Sequence, residues 1–184
     1  MLARRYLPRR GIDKATKSRE HTMTETGTQS IGARLWRWLG RTPVQTFILC
    51  PLAVIAVELA LYGRLNLVPW GAPLMAWGYG QYLLVGRYRH PRAGGSAGME
   101  VPPQRIIATG PYRYTRNPMY LGHLIFLTGV AITFWSWFAL IVLAGRAIWF
   151  HRRVVHDEAR LERIFGAEYL AYRARVKRWI PGLW

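Results

Sequence analysis

The sequence predicts an all-α membrane protein with about four transmembrane helices. Hydrophobic residues make up 51% of the 184-residue chain, and 26 Lys and Arg outnumber nine acidic residues, giving a net charge of +17. Two protein classes show that balance: nucleic-acid binders, and membrane proteins with basic cytoplasmic faces. A basic soluble domain would interleave its charges with its apolar residues, whereas here the charges are kept apart from long apolar runs. This separation favours a membrane protein and excludes a nucleic-acid binder.

The first thirty residues differ from the rest of the chain. Residues 1–30 are basic and polar, without apolar periodicity and without the apolar core of a signal peptide. We expect a disordered basic N-terminal arm there, with Met23 as an alternative start to Met1, and a single domain over residues 31–184. This domain opens with "IGARLWRWLGR", residues 31–41, in which aromatic and basic residues mix. The mixture predicts a short interfacial helix on anionic lipid headgroups.

Two apolar runs follow. Residues 44–62 contain one ionisable side chain, Glu58, and residues 65–85 contain none. Because a span needs about 20 apolar residues, we predict transmembrane helices over both. Cys50 is expected to be a small buried hydrophobe. Glu58 is either functional, a protonated acid bonded to a neighbouring helix, or closer to the interface than its position suggests.

The distribution of basic residues predicts the topology. Ten Lys and Arg precede Thr42, one lies between the first two spans, six lie in residues 87–116, and nine lie from Arg146 onward. Basic flanks of membrane helices remain in the cytoplasm. The N-terminus, the middle loop and the C-terminus are therefore all predicted to be cytoplasmic in a multi-pass integral membrane protein.

This topology requires both ends of the apolar segment 119–148 to lie on the cytoplasmic side of the membrane. As a single helix they would reach about 45 Å, too long for one crossing and short for two. We therefore predict a tight helical hairpin with spans over residues 119–134 and 137–152, turning near Trp135–Trp137. A cytosolic amphipathic helix that continues from the fourth span is expected over residues 153–177, because apolar side chains recur there at helical spacing. These are Leu161, Phe165, Tyr169 and Tyr172.

Polar residues gather where the hairpin begins. The stretch "GPYRYTRNPMYLGH", residues 110–123, places Pro118 at a helix start, where unpaired N–H groups and the helix dipole suit an anion. Arg113 and Arg116 add guanidinium donors, although interfacial anchoring alone would also account for this composition. For His123, a packed, hydrogen-bonded histidine is favoured over a ligand contact.

A second charged cluster lies just beyond the fourth predicted span. Arg153 and Asp157 share a helix face, as do Glu158 and Glu162. Taken alone, this spacing would also suit a solvated helix face.

Together, the two clusters resemble a known family. "GPYRYTRNPMYLG", an apolar hairpin and "DEARLERIFGAEYLAYRARVKRWIP" are similar to the integral-membrane methyltransferases of the isoprenylcysteine carboxyl methyltransferase and phospholipid methyltransferase superfamily. The likeness covers roughly residues 104–181. Its combined pattern is specific, whereas either half alone would be weak.

The resemblance implies that S-adenosylmethionine binds at the cytosolic side, between the loop before the third span and the helix after the hairpin. It implies catalytic or charge-pairing roles for Arg116, Asp157 and Glu158, and a contact of Arg153 with the acceptor substrate. No metal is expected. The residues that it implies for cofactor binding are Gln104, Arg105, Ile106, Ile107, Tyr112, Asn117, Pro118, Met119, Tyr120, Asp157 and Glu158.

The chain departs from the prenylcysteine branch at two points. Arg116-Asn117-Pro118 stands where those enzymes have Arg-His-Pro, and Asp157-Glu158 stands where they have paired glutamates. Aspartate is shorter by one methylene, so Glu158 is an alternative partner for the donor. An Arg-His-Pro triplet does occur at residues 89–91, but we interpret it as a coincidence in a loop, or as part of a flexible lid with the glycines at 94, 95 and 98.

We therefore predict S-adenosylmethionine-dependent methyl transfer to a lipid-like or isoprenoid acceptor, an amine or a carboxylate, at the cytosolic membrane face. In-line displacement from a sulfonium depends mainly on holding donor and acceptor in line and excluding water. Two other classes stay open. One is a nicotinamide-dependent membrane lipid reductase, which would need a larger cofactor pocket, and the other is a non-catalytic membrane anchor or partner subunit.

Overall fold

The computed structural model describes residues 31–94 and 104–179, and all regular secondary structure in these ranges is helical. The predicted arm, residues 1–30, and the glycines at 95 and 98 lie outside the described residues. The chain divides into two structural units after Arg41. In the first unit, helix α1 covers Ile31–Leu39, and its side chains Trp36 and Leu35 are exposed. The short helix predicted here is confirmed.

Helix α2 covers Thr42–Tyr62 and contains a wider π-helical turn at Gln45–Leu49. Pro51 explains this turn, because proline has no N–H to donate and its ring clashes with the carbonyl one turn earlier in a regular helix. The wider turn avoids that clash, and the Cys50 N–H bonds Gln45 five residues back. Gly63 ends the helix in the left-handed conformation and donates to the Leu59 carbonyl at 3.0 Å.

Helix α3 covers Ala72–Ala93, after a single 3-10 turn at Pro69–Gly71. The second predicted span was placed too early, since residues 65–68 are not helical and the helix starts at Ala72. The Arg-His-Pro triplet at residues 89–91, predicted to lie in a loop, forms the last turns of α3. Pro91 is tolerated there because its missing N–H removes only one bond close to the helix end.

Helices α4 (Pro118–Phe134) and α5 (Trp137–Phe165) form the predicted hairpin. The turn consists of Trp135 in the left-handed region, at φ 48°, and Ser136, whose Oγ accepts from the Ala139 N–H at 3.1 Å and caps α5. As expected, α5 continues from the fourth predicted span into the predicted cytosolic helix; it ends at Gly166, where φ is 51° and ψ is −124°. The predicted cytosolic helix over residues 153–177 is therefore two pieces, the end of α5 and helix α6 (Ala167–Arg175).

The α2–α5 core lies beneath the hairpin turn and is formed largely by α4. Glu58 of α2 is buried there and accepts a hydrogen bond from Ser136 Oγ at 2.5 Å. Of the interpretations considered for Glu58, the bond to a neighbouring element agrees with the structure. The buried apolar residues of this core are Val54, Phe126, Leu127, Val130, Ala131, Phe134 and Ala139.

Helices α3 and α4 pack closely because glycines face each other. A Cβ on Gly122 would lie 2.8 Å from the Gly78 carbonyl oxygen, and one on Gly129 would lie 2.7 Å from the Gly71 carbonyl oxygen. Small residues of this kind let membrane helices approach at backbone distance. The polar stretch before α4 is thereby held beside the end of α3.

The outer faces of the helices carry exposed apolar side chains, among them Leu61, Trp77, Leu84 and Ile141. By length and composition, α2 is the one helix within residues 31–94 and 104–179 able to cross a membrane unaided, and the apolar α4 is shorter. The all-helical architecture is thus confirmed. The count of four spans does not follow from these lengths.

Candidate cofactor site

The polar stretch before α4 is folded against the end of α3. Gly110 has φ 58° and begins a 3-10 turn over Gly110–Arg113; a Cβ on it would meet the ring of Tyr88. The hydroxyl of Tyr88 also lies 2.8 Å from Thr109 Oγ1. These contacts require glycine at position 110 and fix where the following residues enter α4.

The same stretch is tied to the segment after α6. The Arg116 N–H donates to the Lys177 carbonyl at 3.0 Å. The Arg178 carbonyl accepts from Thr115 Oγ1 at 2.9 Å and from Asn117 Nδ2 at 3.2 Å. Two chain segments about 60 residues apart therefore form one wall.

A buried carboxylate joins this wall to α5. Glu158 Oε1 accepts a hydrogen bond from Arg116 Nε at 3.1 Å and lies 3.0 Å from Arg116 Nη2. Arg178 contacts the same carboxylate from the other side, with Nη2 2.8 Å from Oε2. Arg116 Nη1 donates to the carbonyls of Arg173 and Val176 at 3.1 and 2.7 Å. Arg116 thus contacts protein oxygens through all three guanidinium nitrogens, and Glu158 is shared between two arginines.

Asp157, the neighbouring residue, has different surroundings. Its Oδ2 accepts from the hydroxyl of Tyr120 at 3.3 Å and lies 3.8 Å from Arg153 Nε. Arg153 Nε in turn donates to that hydroxyl at 3.0 Å. Side-chain exposures of 33% for Asp157 and 27% for Arg153 leave both open to a ligand.

These residues surround a cavity of about 930 Å³, including the solvent in its mouth. It lies between the polar stretch, the cytosolic part of α5 and α6. Apolar and aromatic side chains form much of its wall, and guanidinium and carboxylate groups are gathered within it. The lining residues are Arg89, Arg105, Ile106, Ile107, Tyr112, Arg116, Asn117, Pro118, Met119, Tyr120, Asp157, Glu158, Arg160, Leu161, Tyr169 and Tyr172.

Burial alters the acid–base behaviour of the wall. It raises the pKa of Tyr112 to about 12, against the opposing effect of Arg89. Burial, and then the charge of Glu158, raise the pKa of Tyr169 to about 12. The hydrogen bonds that Arg178 donates to Glu158 raise the pKa of this guanidinium above its ordinary value. At neutral pH the tyrosines are therefore protonated hydrogen-bond donors and poor proton acceptors.

Most of the site residues expected from the sequence come together here. Ten of the eleven expected cofactor contacts line the cavity, together with Arg116. Gln104 does not; its side chain packs against Gly94, and its N–H donates to the Ala93 carbonyl at 2.7 Å. Arg153 is also outside the lining and reaches it through Tyr120 and Asp157.

The sequence prediction missed several residues. Tyr169 and Tyr172 were noted on one face of an amphipathic helix and within the stretch that resembles the family, but they were not expected to be site residues, although their spacing of three could have suggested a shared wall. No local pattern singled out Arg178, and Arg89 was noted only in the Arg-His-Pro triplet that we interpreted as a coincidence or as part of a lid. His123 is fully buried among the rings of Phe47 and Phe150 and does not line the cavity; the hydrogen bond expected for it is absent within the described residues.

The described residues, 31–94 and 104–179, contain no group of three or more His, Cys, Asp or Glu that could hold a metal ion. The charged groups of the cavity are guanidinium and carboxylate groups, which suit an ionic organic ligand.

Comparison with known proteins agrees with this geometry. Residues 89–168 match the family model described as phospholipid methyltransferase. Relatives include protein-S-isoprenylcysteine O-methyltransferase of Schizosaccharomyces pombe, 32% identical over 78 residues, which are 41% of this chain and 33% of the relative. Forms B and A from Arabidopsis thaliana are 29% and 30% identical over 79 and 78 residues, about 42% and 41% of this chain and 40% and 39% of theirs.

The alignments thus span about a third to two fifths of the length of these relatives. No solved structure matches the chain. The matched segment, residues 89–168, contains the polar stretch, the hairpin and the carboxylate pair, whereas the lining residues Tyr169 and Tyr172 lie just beyond it. The resemblance seen in the sequence is confirmed: residues 89–168 are similar to the isoprenylcysteine carboxyl methyltransferase and phospholipid methyltransferase superfamily.

Proposed function

We propose that the protein is an S-adenosylmethionine-dependent methyltransferase acting on a lipid-like or isoprenoid acceptor at the cytosolic face of a membrane. The observation that carries the proposal is that Tyr120 and Asp157, at the base of an apolar hairpin, meet in one cavity. A water-soluble donor can reach such a site from the cytosol, and an apolar, lipid-like acceptor can reach it from the membrane.

The cavity fits the proposed donor. Ile106, Ile107 and Met119 offer apolar surface to a purine, and the first turn of α4 offers N–H groups to a carboxylate. Asp157 suits the donor's ammonium group, because it is partly exposed and adjacent Glu158 is shared between two arginines. Arg116 and Glu158, expected from the sequence to be catalytic, then act by holding the wall in place.

When bound, S-adenosylmethionine would supply an electrophilic methyl group carried on a positively charged sulfur. The chain's own contribution is positional. Tyr120 joins Arg153 to Asp157, so the proposed acceptor contact and the proposed donor contact move together. Buried aromatic side chains beside them exclude water, which favours displacement by the acceptor over hydrolysis.

Electrostatics favour a carboxylate acceptor over an amine. Four arginines line the cavity against two carboxylates, so its lining remains positively charged although Arg116 is paired with Glu158. An ammonium acceptor would also have to lose a proton, but the lining includes no histidine within the described residues, and the pKa values of Tyr112 and Tyr169 are raised. A carboxylate needs no base. The relatives named above are O-methyltransferases, which agrees with this choice.

We propose the four-span topology for the same chain. The exposed apolar faces of α3, α4 and α5 would lie in lipid alongside α2, with both termini in the cytoplasm. Helix α1, with Arg34 and Arg37 beside exposed tryptophans, would bind anionic headgroups. The cavity would then lie at the inner surface of the membrane.

Ligand-induced stabilisation of the purified protein in detergent tests the cofactor. We expect S-adenosylmethionine and S-adenosylhomocysteine, but not NADPH, to raise the melting temperature, since a ligand that binds only the folded state stabilises it. Stabilisation by NADPH alone would support the reductase, and stabilisation by none of the three would support the anchor.

A transfer assay with methyl-labelled donor then tests the acceptor. We expect label in an isoprenoid or other long-chain carboxylic acid, and none in phosphatidylethanolamine. The reverse distribution would overturn the choice of acceptor and leave the cofactor assignment standing.

A further inference from the structure

One buried hydroxyl in the cavity wall has no hydrogen-bond partner among the described residues. Tyr169, in α6, is only 2% exposed, and its hydroxyl oxygen is buried without a hydrogen bond within the described residues. The neighbouring Tyr172 is equally a wall residue, but its hydroxyl donates to the Tyr112 carbonyl at 2.8 Å. The two rings lie 6.2 Å apart in the same apolar cluster. Two similar tyrosines thus differ in one respect, the presence of an internal acceptor.

An unsatisfied hydroxyl at this depth is unusual, because buried polar groups are nearly always hydrogen-bonded. Packing alone would favour phenylalanine at position 169, since the ring belongs to an apolar cluster against which Ile106 and Leu161 pack. Both of these side chains line the cavity along with the tyrosine. The hydroxyl is therefore best explained by a partner that enters the cavity.

The position of Tyr169 indicates which ligand that is. It lies beyond the break at Gly166, on the wall shared with the stretch before α4, and near the charges of Glu158 and Arg116. By contrast with Tyr169, Arg153, which is the residue expected to contact the acceptor, lies on α5 beside the ring of Trp149. On the proposed topology, the end of the cavity at Tyr169 lies on the side from which a water-soluble ligand would enter.

We propose that the Tyr169 hydroxyl is a binding group for the methyl donor and donates a hydrogen bond to one of its oxygen atoms, in the ribose or the carboxylate. This inference rests on the proposed function and adds to it a contact that the sequence comparison did not identify. Binding would satisfy the hydroxyl, whereas Tyr172 keeps its own partner with or without ligand.

The test compares Tyr169→Phe with Tyr172→Phe, each in the full-length protein in detergent. The dissociation constant of S-adenosylhomocysteine is measured by calorimetry and the melting temperature without ligand by scanning fluorimetry. For Tyr169→Phe we expect an unchanged or higher melting temperature and binding weakened about threefold to tenfold, the range of one hydrogen bond. For Tyr172→Phe we expect a lower melting temperature, because the Tyr112 carbonyl loses its donor.

A second probe locates the oxygen. Methylthioadenosine keeps the ribose but lacks the amino-acid part, so a loss of affinity shared by both probes assigns the contact to the ribose. A loss restricted to S-adenosylhomocysteine assigns it to the carboxylate.

Two results would overturn the inference in different ways. If wild-type protein binds S-adenosylhomocysteine and Tyr169→Phe binds it equally well, the donor role of Tyr169 is wrong and the proposed function stands. If wild-type protein binds neither probe, the proposed function fails and the role of Tyr169 fails with it.

Discussion

Arg116 Nε lies 3.1 Å from Glu158 Oε1, although 42 positions separate the two residues in the chain. Arg178 contacts the same carboxylate, so three elements that are distant in sequence meet at one buried charge. The side chains of Arg116 and Glu158 are only 8% and 7% exposed. The contact holds the two walls of the cavity together, and its loss is expected to affect the whole site.

Glu158→Gln should therefore destabilise the protein strongly. Removing one partner of a buried ion pair costs about 3–5 kcal/mol, because the remaining charges stay buried without compensation. Glu162→Gln is the matched control, since Glu162 pairs with Arg173 at 3.0 Å but both are 40% or more exposed. We expect the control to cost less than about 1 kcal/mol. Equal unfolding free energies for the two variants in urea would show that the buried contact adds no stability.

Asp157→Asn should weaken donor binding with little effect on the fold. The carboxylate is one-third exposed and its closest guanidinium atom is 3.8 Å away, so its loss leaves no buried charge unpaired. We expect an increase of about tenfold in the dissociation constant of S-adenosylhomocysteine, the scale of one charge-assisted hydrogen bond. Calorimetry measures it, with Glu168→Gln, an exposed acid on α6, as the control. Unchanged affinity in Asp157→Asn would remove this residue from the proposed site.

Ser136→Ala should loosen the hairpin turn. The hydroxyl caps α5 through the Ala139 N–H and also donates to Glu58 Oε1. Loss of a helix cap costs about 1 kcal/mol, and leaving the buried Glu58 unpaired adds to this. Ser136→Thr keeps the hydroxyl and should retain most of the stability. The melting temperatures of the two variants are measured in detergent. Equal values for Ser136→Ala and Ser136→Thr would contradict the role of the hydroxyl.

Gly122→Ala should disrupt the contact between α3 and α4. The added methyl would lie 2.8 Å from the Gly78 carbonyl and 3.1 Å from the Tyr82 nitrogen, and both are backbone atoms that cannot move independently. Overpacking of this kind costs about 1–3 kcal/mol. Gly145→Ala in α5 meets nothing within 4 Å and should be neutral or stabilising by up to about 1 kcal/mol. A Gly122→Ala protein as stable as Gly145→Ala would show that the helices are further apart.

Alkaline pH should destabilise the fold through the wall tyrosines. The pKa values of Tyr112 and Tyr169 are raised to about 12 from 10.0, so between these values the unfolded chain releases protons that the folded chain keeps. Stability is then fully present below about pH 10 and falls as the pH rises towards about 12. Tyr112→Phe should flatten that fall, as followed by melting temperature against pH, with the tyrosinate absorbance recorded in parallel. An equal slope in wild type and variant would contradict the raised pKa of Tyr112.

Several features could be predicted from the sequence because local chemistry determines them. The apolar runs predicted α2 and α4, and Pro118 marked the start of α4. Ser136, between two tryptophans, predicted the turn of the hairpin, since a capping side chain and a break in apolarity coincide there. The motif around Asn117 and Asp157 predicted which superfamily the chain resembles.

Other boundaries could not be read locally. Helix α3 runs through the Arg-His-Pro triplet at residues 89–91, because a proline so close to the helix end removes only one backbone bond. The cytosolic continuation of α5 was expected to run unbroken to residue 177. The break falls instead at Gly166, where φ is positive and glycine adopts that conformation readily.

By itself the sequence determined that the chain is helical, that apolar segments alternate with basic ones, and which residue types are available at the polar entrance. Only the tertiary structure decided how these residues are used: Glu158 is shared between Arg116 and Arg178, while adjacent Asp157 faces the cavity. It also decided that the Tyr172 hydroxyl has a hydrogen-bond acceptor, the Tyr112 carbonyl, whereas the Tyr169 hydroxyl has none among the described residues. The physical reason is that a side chain's role depends on which distant groups satisfy its charge or hydrogen bonds, and sequence spacing specifies only neighbours along one helix.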